Sequence, residues 1–156
     1  MRRGFIGFFH NKRDFPSFVS KSKHTGGFTN MKFTAVCENH LYQKAYSKGK
    51  RYVTNALAVY VLPDYQSERL RRAHPLKKKV NRIGLTVSKK LGGAVVRSRV
   101  KRILREAYRE VEANYGIKVG HIVILAAREA ATGMKSTELA KDLYRALKKL
   151  GLLEQV

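Results

Sequence analysis

Arg82-Ile83-Gly84-Leu85-Thr86-Val87-Ser88-Lys89-Lys90-Leu91-Gly92-Gly93-Ala94-Val95-Val96-Arg97-Ser98-Arg99-Val100-Lys101-Arg102-Ile103-Leu104-Arg105-Glu106 contains two structural periods joined by a basic turn. From Ile83 to Ser88, apolar residues alternate with small or polar ones, the period of a strand with one face buried. Lys89-Lys90-Leu91-Gly92-Gly93 breaks that pattern. Beyond it, Val100, Ile103, Leu104, Ala107 and Val111 recur at i, i+3, i+4, i+7 and i+11, which is one face of a helix. At about 100° per residue, Arg102, Arg105 and Arg109 project away from that face, with Arg97, Arg99 and Lys101 on its flanks. The helix is therefore apolar on one side and cationic on the other.

Working outward, Asn39 is suited to capping a short helix that runs to Lys48, with Gly49 following and Tyr42, Ala45 and Tyr46 at helical spacing. Residues 52–62 are rich in Val, Tyr and Thr and predict one strand, ended by Pro63-Asp64. A polar, basic connection follows through Lys79. On the other side of the basic helix, after Gly116, residues 119–127 have the length and composition of a buried strand. A last helix starts near Ser136, repeats Leu139, Leu143, Ala146, Leu147 and Leu150, and stops at Gly151. The order is helix, two or three strands, basic helix, strand and helix, which predicts an α+β sandwich of one sheet with helices. Residues 1–30 have no sustained periodicity and carry six basic residues against one acid, Asp14, so a disordered basic extension is expected there. The domain is expected over residues 31–156.

A chain of 156 residues accommodates a single core, and its formal charge of +22 is far from balanced. Such an excess repels itself in a compact state and calls for a polyanionic partner, with nucleic acid the first candidate. The single cysteine, Cys37, has no partner for an internal disulfide, so a reducing cytoplasm is the expected compartment. No apolar run approaches the roughly 18 residues of a membrane span, and no membrane partner is expected.

The titratable residues form no persuasive catalytic constellation for a protein enzyme. His10, His24, His40, His74 and His121 are scattered, and none is spaced with Cys37 or a carboxylate as a metal site requires. Glu106 and Glu110 lie one turn apart on an arginine-rich helix, where ion pairing is the simpler reading than acid/base chemistry. Gly92-Gly93 is not followed by the Lys-Ser/Thr of a nucleotide-binding loop. Clustered cations offer more: Lys89, Lys90, Arg97, Arg99, Lys101, Arg102, Arg105 and Arg109 share one turn and one helix, and such groups bind phosphates well. Tyr42, Tyr46 and Tyr60 are candidate stacking surfaces for unpaired bases, and equally candidates for core packing.

The stretch from Arg82 to Glu106 resembles the signature of the bacterial ribonuclease P protein family, and Tyr42-Gln43-Lys44-Ala45-Tyr46-Ser47-Lys48-Gly49-Lys50 resembles that family's aromatic first helix. The resemblance covers about residues 31–150, with Met31-Lys32-Phe33-Thr34 similar to a family start. It implies an αβββαβα two-layer sandwich with a left-handed βαβ crossover, a hand that ordinary topology rules disfavour. It also implies an endoribonuclease whose catalytic centre, with its magnesium, lies in an RNA subunit. The protein then has no catalytic residue, no metal or other cofactor of its own and no small-molecule substrate. Its implied partners are the catalytic RNA, through the basic turn and helix, and precursor tRNA, whose 5′ leader would lie along Tyr42, Tyr46 and Tyr60. The family's Arg-Asn-Arg triplet is Arg97-Ser98-Arg99 here; serine keeps a hydrogen-bonding group but loses one polar atom of the amide. Two other readings explain the charge: a ribosomal protein or assembly factor binding ribosomal RNA, and a DNA-binding regulator with its basic helix in a major groove.

Overall fold

The computed structural model describes residues 34–73 and 81–154, with the side chain of Arg71 left aside. The expected basic extension over residues 1–30, His74 and the basic connection at residues 74–80 lie outside the described residues. Elements run β1 (Thr34–Ala35), α1 (Asn39–Lys48), β2 (Lys50–Val53), β3 (Leu57–Pro63), α2 (Ser67–Ala73), β4 (Arg82–Thr86), α3 (Ala94–Tyr115), β5 (His121–Ala127) and α4 (Ser136–Lys149). Short 3-10 turns at Lys89–Leu91 and Glu129–Thr132 precede α3 and α4.

The strands form one sheet in the order β1-β4-β5-β3-β2. β4 pairs in parallel with both β1 and β5, whereas β5–β3 and β3–β2 are antiparallel. The sequence His121-Ile-Val-Ile-Leu-Ala-Ala127 is almost wholly apolar because β5 is central and covered on both faces. Val123 and Leu125 join Leu57, Val59, Val61 and Ile83 in a core that includes Leu104 and Tyr108 of α3 and Leu139, Leu143 and Leu147 of α4. The alternate residues Ile122 and Ile124 join Leu62 on the opposite face, where Leu41 and Ala45 of α1 cover them. Helices α3 and α4 thus make the layer on one side of the sheet, and α1 covers part of the other.

Residues 52–62 are not one strand. Thr54 interrupts them, its backbone N–H donating to the Leu57 carbonyl at 2.8 Å while its Oγ1 accepts from the Leu57 N–H at 3.1 Å. This local side-chain bond closes a hairpin in which Lys50 faces Val61 and Val53 faces Ala58. The connection expected after Pro63 also contains α2, started by Asp64, whose Oδ1 accepts from the Gln66 N–H at 3.0 Å and whose carbonyl accepts from Ser67. Helix α3 begins at Ala94, well before its first core residue, Val100. It ends where Gly116 adopts a φ of 68°, a conformation that favours glycine. The first turn of α4 is held by Glu138, whose Oε2 accepts from the Lys135 N–H at 2.9 Å.

Two buried polar contacts fix how the strands enter the sheet. Asn81, 2% exposed, donates to the Lys118 carbonyl and accepts from the His121 N–H, tying the start of β4 to the start of β5. Arg82 and Asp64 are both 6% exposed and form a bidentate pair, with Nε–Oδ2 at 2.7 Å and Nη2–Oδ1 at 2.6 Å.

Leu104 has no exposed surface and sits between α3 and the sheet. Leu104→Ala is expected to cost about 2–5 kcal/mol in urea unfolding. A cost under about 1 kcal/mol, more typical of a surface change, would mean that α3 does not dock on this core.

Candidate nucleic-acid interface

The three tyrosines read from the sequence converge. Tyr42 and Tyr46 lie on successive turns of α1, and Tyr60 rises from β3 on the sheet face that α1 covers. Tyr46 and Tyr60 meet edge to face with ring centroids 4.8 Å apart, and Tyr42 and Tyr46 are 6.4 Å apart. All three are half-buried. They are neither wholly core nor wholly surface, so each packs in part and keeps part of its surface open to solvent. Their hydroxyls are anchored: Tyr42 donates to the Val36 carbonyl at 3.3 Å, and the Tyr46 and Thr86 hydroxyl oxygens are 2.9 Å apart.

Gly84 makes room for this cluster, because a Cβ there would stand 2.7 Å from the Tyr42 ring. Glycine inside a strand often marks a close approach of this kind, which was the available sequence signal for a residue not picked as part of the site. Thr86 was also missed. Burial pushes the Tyr46 hydroxyl up to about 12, with the Thr86 bond acting against that rise and Tyr60 and Tyr42 adding to it. Tyr42 is raised in the same direction, chiefly by burial.

The basic turn starts three residues beyond Thr86. Ser88 accepts from the Lys90 N–H at 3.3 Å and so caps the 3-10 turn that displays Lys89 and Lys90, both exposed. On α3, Ser98, Arg99 and Arg102 are exposed, while Arg97, Lys101, Arg105 and Arg109 are half-buried. Those four follow one another at i, i+4, i+8 and i+12, a spacing that stacks like charges on adjacent turns. Burial holds Lys101 below its ordinary value, and Arg105 and Arg97 add to that depression. Arg105 is lowered by burial and then by Arg109 and Arg102. Like charges at i, i+4 destabilise a helix by about 0.2–0.5 kcal/mol per pair, so this stripe carries a cost that a polyanion would relieve.

Not every cation is equally placed. Arg97 Nη1 donates to the Gly92 carbonyl at 2.9 Å and thereby fastens the turn to the helix. Arg109 pairs with Glu106 at 3.3 Å, in line with the ion-pairing reading of that glutamate. Among the described residues, no group of three or more His, Cys, Asp or Glu side chains is placed to hold a metal ion, and no helix is long and apolar enough to cross a membrane.

A small, strongly basic α+β domain with a cationic helix and a cluster of half-buried tyrosines has the features of the nucleic-acid-binding class of proteins. The chain belongs to the ribonuclease P protein family: the family profile described as Ribonuclease P matches residues 31–151. It is 35% identical over 123 residues to the ribonuclease P protein component of Clostridium acetobutylicum, covering 79% of this chain and 93% of that one. It is 34% identical over 117 residues to that of Clostridium perfringens, covering 74% and 86%. The solved RNase P protein of Staphylococcus aureus superposes with a TM-score of 0.59 at 25% identity, covering 77% of this chain and 97% of that one. These likenesses do not favour a ribosomal protein.

Because the folded state holds the Tyr46 proton to about 12 and an unfolded chain releases it near 10.0, stability is lost as pH rises through that window. Tyr46→Phe is expected to flatten this alkaline decline in thermal unfolding. An unchanged decline would mean that the hydroxyl is not buried against Thr86.

Proposed function

We propose that this chain acts in the cytoplasm as the protein component of a ribonuclease P holoenzyme, pairing with a catalytic RNA and with precursor tRNA. The basic turn and α3 dock on the catalytic RNA: Lys89, Lys90, Arg99, Lys101, Arg102, Arg105 and Arg109 neutralise its phosphates. Arg97 keeps the turn in register with the helix, and Ser98 offers an exposed hydroxyl between the two arginines. The cleft lined by Tyr42, Tyr46 and Tyr60 holds the single-stranded 5′ leader by stacking.

Catalysis would belong to the RNA, whose bound magnesium would supply the chemistry for phosphodiester hydrolysis. The protein contributes affinity and selectivity. Mature tRNA lacks the leader, so each stacked leader base widens the difference in affinity between substrate and product.

The observation that carries this reading is the junction at Thr86, where the aromatic cleft and the basic turn adjoin: Tyr46 meets Thr86 at 2.9 Å, and Lys89 lies three residues on. A strand held in the cleft is thereby presented beside the RNA-docking surface. Tyr46→Ala is expected to cost the reconstituted holoenzyme about 1–3 kcal/mol in affinity for precursor tRNA with a leader several nucleotides long. With mature tRNA the cost should vanish. Equal losses with and without a leader would make these rings packing residues and overturn the leader assignment.

A further inference from the structure

Across α1 from the tyrosine cleft, another aromatic ring stands in the open. Tyr65 is 85% exposed, and the Lys44 ammonium lies 5.9 Å from its ring centroid. Lys44 is about 160° around α1 from Tyr46, so the cleft and Tyr65 flank opposite sides of the same helix. Between them, the solvent face of α1 carries Gln43 and Ser47, both exposed and uncharged.

The turn that displays Tyr65 is fixed on both sides. Asp64, immediately before it, is buried and accepts two bonds from Arg82, while its N–H donates to the Gly120 carbonyl at 2.8 Å. Gln66, immediately after it, donates its N–H to Asp64 Oδ1 at 3.0 Å. Arg82 also reaches Glu38 Oε1 at 3.7 Å, so the residue preceding α1 and the turn share one anchor. The Asp64 charge is matched within that anchor, and Lys44, Lys48 and Arg69 are exposed on the adjoining elements. Glu68 on α2 is paired with Arg72 at 3.5 Å, so an exposed ring on a fixed turn, with an ammonium beside it and further cations nearby, suits a base and its phosphate.

We propose that Tyr65 and Lys44 form a second stacking site for single-stranded RNA, which takes leader nucleotides after the strand has crossed α1. The proposal rests on the reading of the tyrosine cleft as the leader site. A helix is about 10–12 Å across with its side chains, so the strand must run several nucleotides beyond the tyrosines to reach Tyr65. Leaders that end within the cleft do not reach Tyr65, and leaders several nucleotides longer do.

The test uses reconstituted holoenzyme and precursor tRNAs with leaders of graded length, comparing Tyr65→Ala with Tyr46→Ala. Tyr46→Ala should lose affinity as soon as the leader fills the cleft. Tyr65→Ala should match the parent there and lose roughly tenfold with the longer leaders, the size of one base stack. Thermal unfolding should be unchanged, since the ring is outside the core. The chain contains no tryptophan, so Tyr65→Trp supplies a single reporter whose emission should be quenched by long leaders and not by short ones. Parent-like affinity of Tyr65→Ala with every leader, beside a leader-dependent loss in Tyr46→Ala, would overturn the second site and leave the cleft intact. Equal Tyr65→Ala losses with leaderless tRNA would overturn it too, by placing Tyr65 against another part of the RNA. If Tyr46→Ala also showed no leader dependence, the cleft reading itself would fall.

Discussion

Parallel pairing of β4 with β5 is the constraint on which the arrangement depends. Two parallel neighbours cannot be joined by a tight turn, so the chain must leave the sheet after Thr86, cross it and return at His121. Helix α3 makes that crossing and pays its way by burying Val100, Leu104, Ala107, Tyr108 and Val111. The exit from β4 therefore has to be a turn followed by a helix start. In this chain those segments hold Lys89, Lys90, Arg97, Ser98 and Arg99. The same end of β4 presents Thr86 to Tyr46 on the opposite face of the sheet. One backbone requirement thus brings the basic turn and the tyrosine cluster to the same end of β4, where open sheets with parallel strands commonly bind their ligands.

The energetics of the sheet and of α3 are unequal. At the start of β4, the Arg82–Asp64 pair is buried and fully matched, so removing either partner would strand a charge at a cost of about 3–5 kcal/mol. Along α3, Lys101 and Arg105 are depressed by burial and by their cationic neighbours. The first contact locks the sheet to the segment before α1 and to the Tyr65 turn. The second leaves the free protein with repulsion along α3 that bound phosphates would remove. Stability is concentrated where geometry must be held, and strain where a partner is expected.

How much of this was legible in the sequence depends on the range of the interaction. β4, α3 and α4 follow from periodicity, because each repeats its apolar residues along one face, and β5 follows from a continuous apolar run, because it is buried on both faces. The hairpin did not, since Thr54-Asn55 is a two-residue turn signal inside an otherwise continuous run of strand formers. Helix α2 was invisible for a different reason: seven residues with Leu70 as their single large apolar side chain make no stripe. The cations were legible by type, yet nothing local distinguished Arg97, which fastens the turn through Gly92, from the arginines around it. The convergence of Tyr60 with Tyr42 and Tyr46 depends on how α1 docks across β3 and β5. Arg82 and Asp64 are 18 residues apart and carry no local mark of their pairing.

The central claim is a division of labour between two adjoining surfaces, and it is tested most directly by the affinity of the free protein for the catalytic RNA in the absence of any tRNA. The account predicts that Arg102→Gln weakens this assembly and lowers its salt slope by roughly 0.7–0.9, one phosphate contact, while Tyr46→Ala assembles as the parent does. Arg102 is exposed on α3, so its replacement leaves the core untouched. Equal weakening by both substitutions, or an unchanged salt slope for Arg102→Gln, would contradict the separation of the docking helix from the cleft.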